Sequence, residues 1–248
     1  VRFGSCPLPM MEVLKSAVRS KLNTIISGGT GSGKTTLLNV LSKFIPDHER
    51  IITIEDSAEL QLQQDHLIRL ETRSANQEGK GEINQRDLVK NSLRMRPDRI
   101  ILGEIRGGEA VDMLTAMNTG CTGSLATVHA NSPQDALARF ETMVSIGMPN
   151  MSDKVIRETI ARALDVIVQQ ARFSDGSRRV TAITEITGIE GNVITTQDIF
   201  RFEKTDLGED GVVKGFFGAT GVRPRFASRL AAYGINLGEE LFEYRLDV

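Results

Sequence analysis

Eight consecutive residues, Gly28-Gly29-Thr30-Gly31-Ser32-Gly33-Lys34-Thr35, satisfy G-x-x-x-x-G-K-[ST], the spacing of a loop that wraps a phosphate chain. The glycines let the backbone turn its N–H groups inward, so phosphate meets several donors and the positive end of a helix dipole together. Lys34 is placed to neutralise the β- and γ-phosphates, and the Thr35 hydroxyl is a ligand for Mg²⁺. An apolar strand precedes the motif and an amphipathic helix follows it, the context that separates a phosphate loop from a glycine-rich turn.

Hydrolysis also needs a group that positions water. Ile100-Ile101-Leu102-Gly103-Glu104 ends an apolar run with a carboxylate, which in a parallel sheet projects from the C-terminal edge, where ligands bind. Glu104 is suited to orient the attacking water or to hold magnesium through water. Ile54-Glu55-Asp56 repeats the arrangement; the pair faces the nucleotide or caps a helix beginning at Ser57. His129 follows the run Leu125 to Val128, where a ring N–H would sense phosphate or serve the structure alone. Three arginine sets, Arg69 with Arg73, Arg94 with Arg96, and Arg106, offer cations for transition-state charge. Position along the chain does not choose among them.

The elements that would hold these residues alternate. Strands are predicted at 23–27, 51–54, 67–72, 100–102 and 124–128, with helices from Lys34 (Leu37, Leu38, Leu41, Phe44), over 87–95, from about Gly108, from Ser132-Pro133 and from Ser152 (Val155, Ile156, Ile160, Leu164). Leu8 to Ala17 has helical spacing, and Ser74 to Asn84 reads as a mobile loop. Apolar strands alternating with amphipathic helices require a mainly parallel sheet covered on both faces. From Val166 the pattern becomes strands joined by Asp175-Gly176 and Glu190-Gly191-Asn192, the turn signals of antiparallel hairpins. The expectation is an α/β core over 23–203 with C-terminal hairpins, a preceding helical or linker segment over 1–22, and a tail over 204–248 that is loop-like to Arg223 and then forms a short helix over 224–232.

The chain has 248 residues, 40% hydrophobic and 25% charged, a composition that excludes disordered and collagen-like classes. A net charge of −2 advertises neither a nucleic-acid nor an anionic-membrane partner. Cys6 and Cys121 are too few for a disulfide framework or a four-ligand zinc site and fit a reducing, cytoplasmic compartment. No run is long enough to span a bilayer, so any membrane association is expected to be peripheral. The chain opens on Val1 rather than methionine, which predicts a preceding domain.

Four blocks together resemble the secretion ATPases of pilus assembly and of type II and type IV secretion, in their Tad/CpaF-type branch. They are Ser27 to Thr36; Ile54-Glu55-Asp56-Ser57-Ala58-Glu59-Leu60; Arg94 to Ala110, with Leu102-Gly103-Glu104-Ile105-Arg106-Gly107-Gly108; and Gly123 to Asn131, with Thr127-Val128-His129-Ala130-Asn131. In that family the blocks are the Walker A loop, Asp box, Walker B strand and His box, in the order found here. The resemblance implies a RecA-like P-loop fold, ATP with Mg²⁺, nucleotide contacts from Gly28 through Thr36, and Glu104 as the catalytic carboxylate. It raises Glu55 and His129 as site residues and makes Arg69 and Arg73 the in-domain candidates for γ-phosphate contacts. It also implies a homo-hexamer on the inner face of the cytoplasmic membrane, acting through an inner-membrane platform protein to assemble, or also retract, a Tad/Flp-type pilus. The alternatives are a type IV secretion ATPase exporting macromolecules, a RecA-like nucleic-acid motor, and a nucleotide-gated scaffold without turnover. The nucleic-acid motor would need a basic or aromatic track, and the chain has no Trp and two Tyr.

Overall fold

The computed structural model describes residues 4–209 and 211–248; of the predicted N-terminal segment, residues 1–3 lie outside the described part. In chain order the elements are α1 (Leu8–Arg19), β1 (Thr24–Gly28), α2 (Lys34–Ser42), β2 (Ile51–Glu55), β3 (Leu67–Glu71), α3 (Gln85–Ser92), β4 (Arg99–Ile105), α4 (Glu109–Thr119), β5 (Leu125–Val128), α5 (Pro133–Gly147) and α6 (Asp153–Ala163). They continue with β6 (Val166–Arg172), β7 (Arg178–Glu190), β8 (Val193–Leu207), β9 (Val213–Ala219), α7 (Ala227–Ala231) and β10 (Arg245–Asp247).

All strands join one sheet in the order β10-β9-β8-β7-β6-β1-β5-β4-β2-β3. From β3 to β6 the neighbours are parallel, and from β6 onward antiparallel. The sequence pattern placed β6 in the hairpin region; it is both, pairing parallel with β1 and antiparallel with β7. Strand alternation divides the interior into two layers. Ile26, Ile51, Ile101, Leu125, Val166 and Val168 face α1, α2 and the C-terminal segment. Ile25, Ile52, Ile54, Ile100, Leu102, Ala126, Val128 and Ile167 face α3 to α6. Hence the strands read as continuous apolar runs, because each face needs its own cover.

Four expectations change. The stretch after Glu203 is not loop-like: β8 continues to Leu207 and β9 follows, with Val213 and Phe217 in the core. The reason is tertiary, since β9 is held by pairing with β8 and β10 rather than by a local apolar pattern. Residues 57–60 form no helix. Val155 is 45% exposed, so α6 buries only Ile156, Ile160 and Ala163 from its own turns. The 74–84 loop is tethered at its base, where Arg73 and Ile83 exchange backbone hydrogen bonds of 2.9 and 2.8 Å. Helix α1 is built into the core through Met10, Val13, Leu14, Ala17 and Val18.

Candidate functional site

The glycine-rich loop leaves the C-terminal end of β1, which lies between the parallel strands β5 and β6, and enters α2 at Lys34. Gly33 precedes the helix at φ +98°, a conformation that disfavours any side chain. A Cβ on Gly28 would lie 2.5 Å from both the Gln170 carbonyl and Ser32 Oγ, so glycine is also required for the approach of β6. No side chain caps α2, which leaves its first N–H groups directed outward for an anion. Ser32 Oγ is buried in the loop without a partner. Lys34 Nζ donates to the Gly29 carbonyl at 3.1 Å. Its pKa is lowered, first by burial and then by the Arg106 charge, while Glu104 opposes the shift.

Two cavities flank the loop. The larger, about 780 Å³, runs between the loop, α2 and the β6–β7 turn and is lined by Cys6, Met11, Thr36, Val40, Gln170 and Arg178 among others. Its mixed apolar and polar walls suit a nucleoside. The smaller, about 270 Å³, contains Lys34, Thr35, Glu55, Asp56, Glu104 and Arg106. The sheet thus brings Lys34 and Thr35 from one strand end to the carboxylates of two others.

Glu104 lies near the end of β4, and its Oε2 accepts from Arg106 Nε at 2.7 Å and Nη2 at 2.6 Å. Hydrogen bonding to Glu104 is the main cause of the raised Arg106 pKa. Glu55 is buried at the end of β2; its Oε1 accepts from the Glu59 and Leu60 N–H groups, each at 2.9 Å. It therefore ties down the following loop while walling the small cavity. Asp56 accepts from Arg106 Nη1 at 3.0 Å, Gln85 Nε2 at 3.0 Å and Thr72 Oγ1 at 3.2 Å. The Thr35 hydroxyl and neighbouring carboxylates are hard oxygen donors that fit Mg²⁺. Among the described residues no cluster of three His, Cys, Asp or Glu could hold a metal alone.

The remaining predicted residues are less close. His129 follows β5 at the same sheet edge, one position beyond the Ser27–Val128 register pair, but it lines neither cavity. Arg73 donates from Nε to the Gly81 carbonyl at 2.7 Å and lines an adjoining cleft with Asp56, Gln85 and Arg106. Arg69 sits on the edge strand β3, four strands from β1, a lateral separation of about 19 Å at ordinary strand spacing. It donates to the Leu62 carbonyl and does not reach this chain's own loop.

Residues that the sequence pattern did not single out for the site come from the β6–β7 turn. Arg178 Nε donates to the Gly31 carbonyl at 2.8 Å, and Gln170 and Arg178 pack beside Gly33. Asp175 holds this turn: it accepts from Ser177 N and Oγ and from Val213 N. These bonds lower its pKa to about 2. The turn signal Asp175-Gly176 was legible, but its position over the loop required knowing that β6 lies beside β1.

Comparison with known proteins places this geometry. Conjugal transfer protein TrbB of Rhizobium radiobacter is 37% identical over 197 residues, covering 78% of this chain and 57% of that protein. The structure of the VirB11 ATPase from the Brucella suis type IV secretion system, in complex with sulphate, matches with TM-score 0.64 and 32% identity over 70% of this chain and 51% of that one. The structure of the pilus retraction motor PilT with bound ADP matches with TM-score 0.50 and 26% identity over 64% and 45%. The chain spans about half the length of the conjugal-transfer and type IV secretion relatives it matches. The profile of the Type II/IV secretion system protein family matches residues 2–189, and the chain belongs to that family.

Proposed function

We propose that this chain binds ATP with Mg²⁺ and hydrolyses it to ADP and phosphate, and that the hydrolysis drives macromolecular export of the type IV secretion and conjugal kind. The observation that carries the reading is the single cavity shared by Lys34, Thr35 and Glu104. The open N–H groups of the 28–36 loop bind phosphate oxygens, and Lys34 places its charge on the terminal pair. Thr35 is the protein's own hydroxyl for the metal, and bound Mg²⁺ would neutralise charge on the phosphate oxygens. Glu104 holds the attacking water in line by accepting its hydrogen bond. Glu55 shapes the wall, and His129 stands at the edge between the loop and β4. The base and ribose occupy the larger cavity, against Met11 and Val40.

The working unit on this reading is a homo-hexamer attached to the inner face of the cytoplasmic membrane through partner proteins. Among the described residues no helix is long and apolar enough to cross a membrane. Arg69, remote from this chain's own loop, and Arg73, in the adjoining cleft, would meet a neighbouring subunit or a further domain. The conjugal-transfer relative and the VirB11 likeness support export over the pilus role predicted from sequence. The PilT likeness supports a second reading, in which the same motor serves an inner-membrane platform protein of a Tad/Flp-type pilus.

Glu104→Gln tests the chemistry. Its ATP turnover is expected to fall about 10²-fold or more with nucleotide affinity kept, and equal turnover in both proteins sinks the hydrolytic role. A strain carrying this variant separates the cargoes: loss of DNA or protein transfer with pili intact supports export, and loss of pili alone supports the second reading.

A further inference from the structure

We infer that Arg106 is a triphosphate sensor within its own chain: it exchanges Glu104 for the terminal phosphate of bound nucleotide while pivoting on Asp56. The inference rests on the nucleotide reading above and assigns a role to a residue that position along the chain left open.

The geometry separates a fixed part from a movable one. The backbone at Arg106 is anchored, because Glu109 Oε1 accepts from the N–H groups of Arg106 and Gly107 at 2.6 and 2.8 Å. Asp56 is held independently, through buried Gln85 at the start of α3 and through Thr72. By contrast the Arg106 side chain is 63% exposed, and what holds it is the three donors it gives to Glu104 and Asp56. It lines the cavity of Lys34 and Thr35 and also the adjoining cleft with Arg73. A guanidinium in that position can turn from one anion to the next without backbone movement.

Charge supplies the reason to turn. A third phosphate beside Lys34 brings new negative charge into the space next to Glu104, and a cation between the two anions is drawn toward the more highly charged one. The planar fork of arginine suits phosphate oxygens as well as carboxylate. Transfer of its donors to phosphate frees Glu104 Oε2 for water. A diphosphate stops short of that space, so Arg106 stays on Glu104. The resting ion pair therefore keeps the carboxylate occupied until a triphosphate arrives.

The test is equilibrium binding of ADP and of a non-hydrolysable ATP analogue, both with Mg²⁺, to the intact chain and to its Arg106→Gln and Arg106→Lys variants. Arg106→Gln is expected to lose about ten-fold or more of the analogue-over-ADP preference while ADP affinity stays within about three-fold. Arg106→Lys, with charge but no fork, is expected to fall between. An unchanged preference in Arg106→Gln, or equal weakening of both nucleotides, overturns the sensor and leaves the nucleotide reading standing. Failure of the unsubstituted chain to bind either nucleotide overturns both.

Discussion

Strand β4 ends in an arginine–carboxylate cluster at each side of the sheet, and the two differ in burial rather than in chemistry. At its start Arg99 is fully buried; it donates to both oxygens of buried Glu49 at 2.5 and 3.0 Å and to the carbonyls of Val18 and Gly123 at 2.7 and 3.0 Å. Its guanidinium joins the end of α1, the β2 approach and the β5 approach. Just past its end Arg106, 63% exposed, holds Glu104 and Asp56 beside the phosphate loop. A buried pair cannot dissociate without stranding a charge in a poor solvent. An exposed pair contributes little to stability and can trade one anion for another. The same side-chain types thus serve as a rivet at one edge and as a movable contact at the other.

The contrast can be broken most directly at Arg99. Arg99→Met leaves Glu49 buried with only the nearby Lys21, and denaturant unfolding is expected to show a loss of about 3–5 kcal/mol. Substituting Glu49 as well, by Met, is expected to recover part of it, because replacing a buried pair costs less than breaking one. A loss below about 1 kcal/mol for Arg99→Met would mean that the buried cluster is not a rivet. Arg106→Gln is expected to change stability by less than about 1 kcal/mol in the same measurement, its effect lying in nucleotide discrimination. A large destabilisation there would erase the distinction between the edges.

The smallest effect concerns Asp175, whose carboxylate is pinned on the half-buried turn over the loop. Its folded pKa of about 2 lies below its ordinary value of 3.8. Its contribution is present above the ordinary value and is lost as pH falls through the folded one. Thermal unfolding from pH 5 to pH 2 is expected to show a shallower acid slope for Asp175→Asn than for the unsubstituted chain. Identical slopes would show that the turn is held by other contacts.

How far the site was legible follows from how local each part is. The 28–35 loop, Glu104 at a strand end, the Ser132 cap that accepts from Asp135 N and the turn at Asp175-Gly176 are all encoded within a few residues. Arg69 and Arg73 were candidates through the family resemblance, and their place relative to this chain's own loop is not encoded locally. The strand order sets β3 at the far edge and leaves Arg73 only in an adjoining cleft. Arg178 and Gln170 went unrecognised for the same reason, since they enter the site from more than a hundred residues away.

The amino-acid sequence by itself determined the phosphate loop, the alternation of strands and helices, and the carboxylates that a parallel sheet must present at one edge. Those follow from backbone conformation and from the periodicity of apolar residues, which act over short spans. Tertiary structure decided which strand lies beside which, and hence that Arg106 rather than Arg69 faces Lys34. It also decided that the β6–β7 turn covers the loop and that the segment after Glu203 completes the sheet. Strand pairing depends on contacts between segments far apart in the chain, whose partners no local pattern specifies.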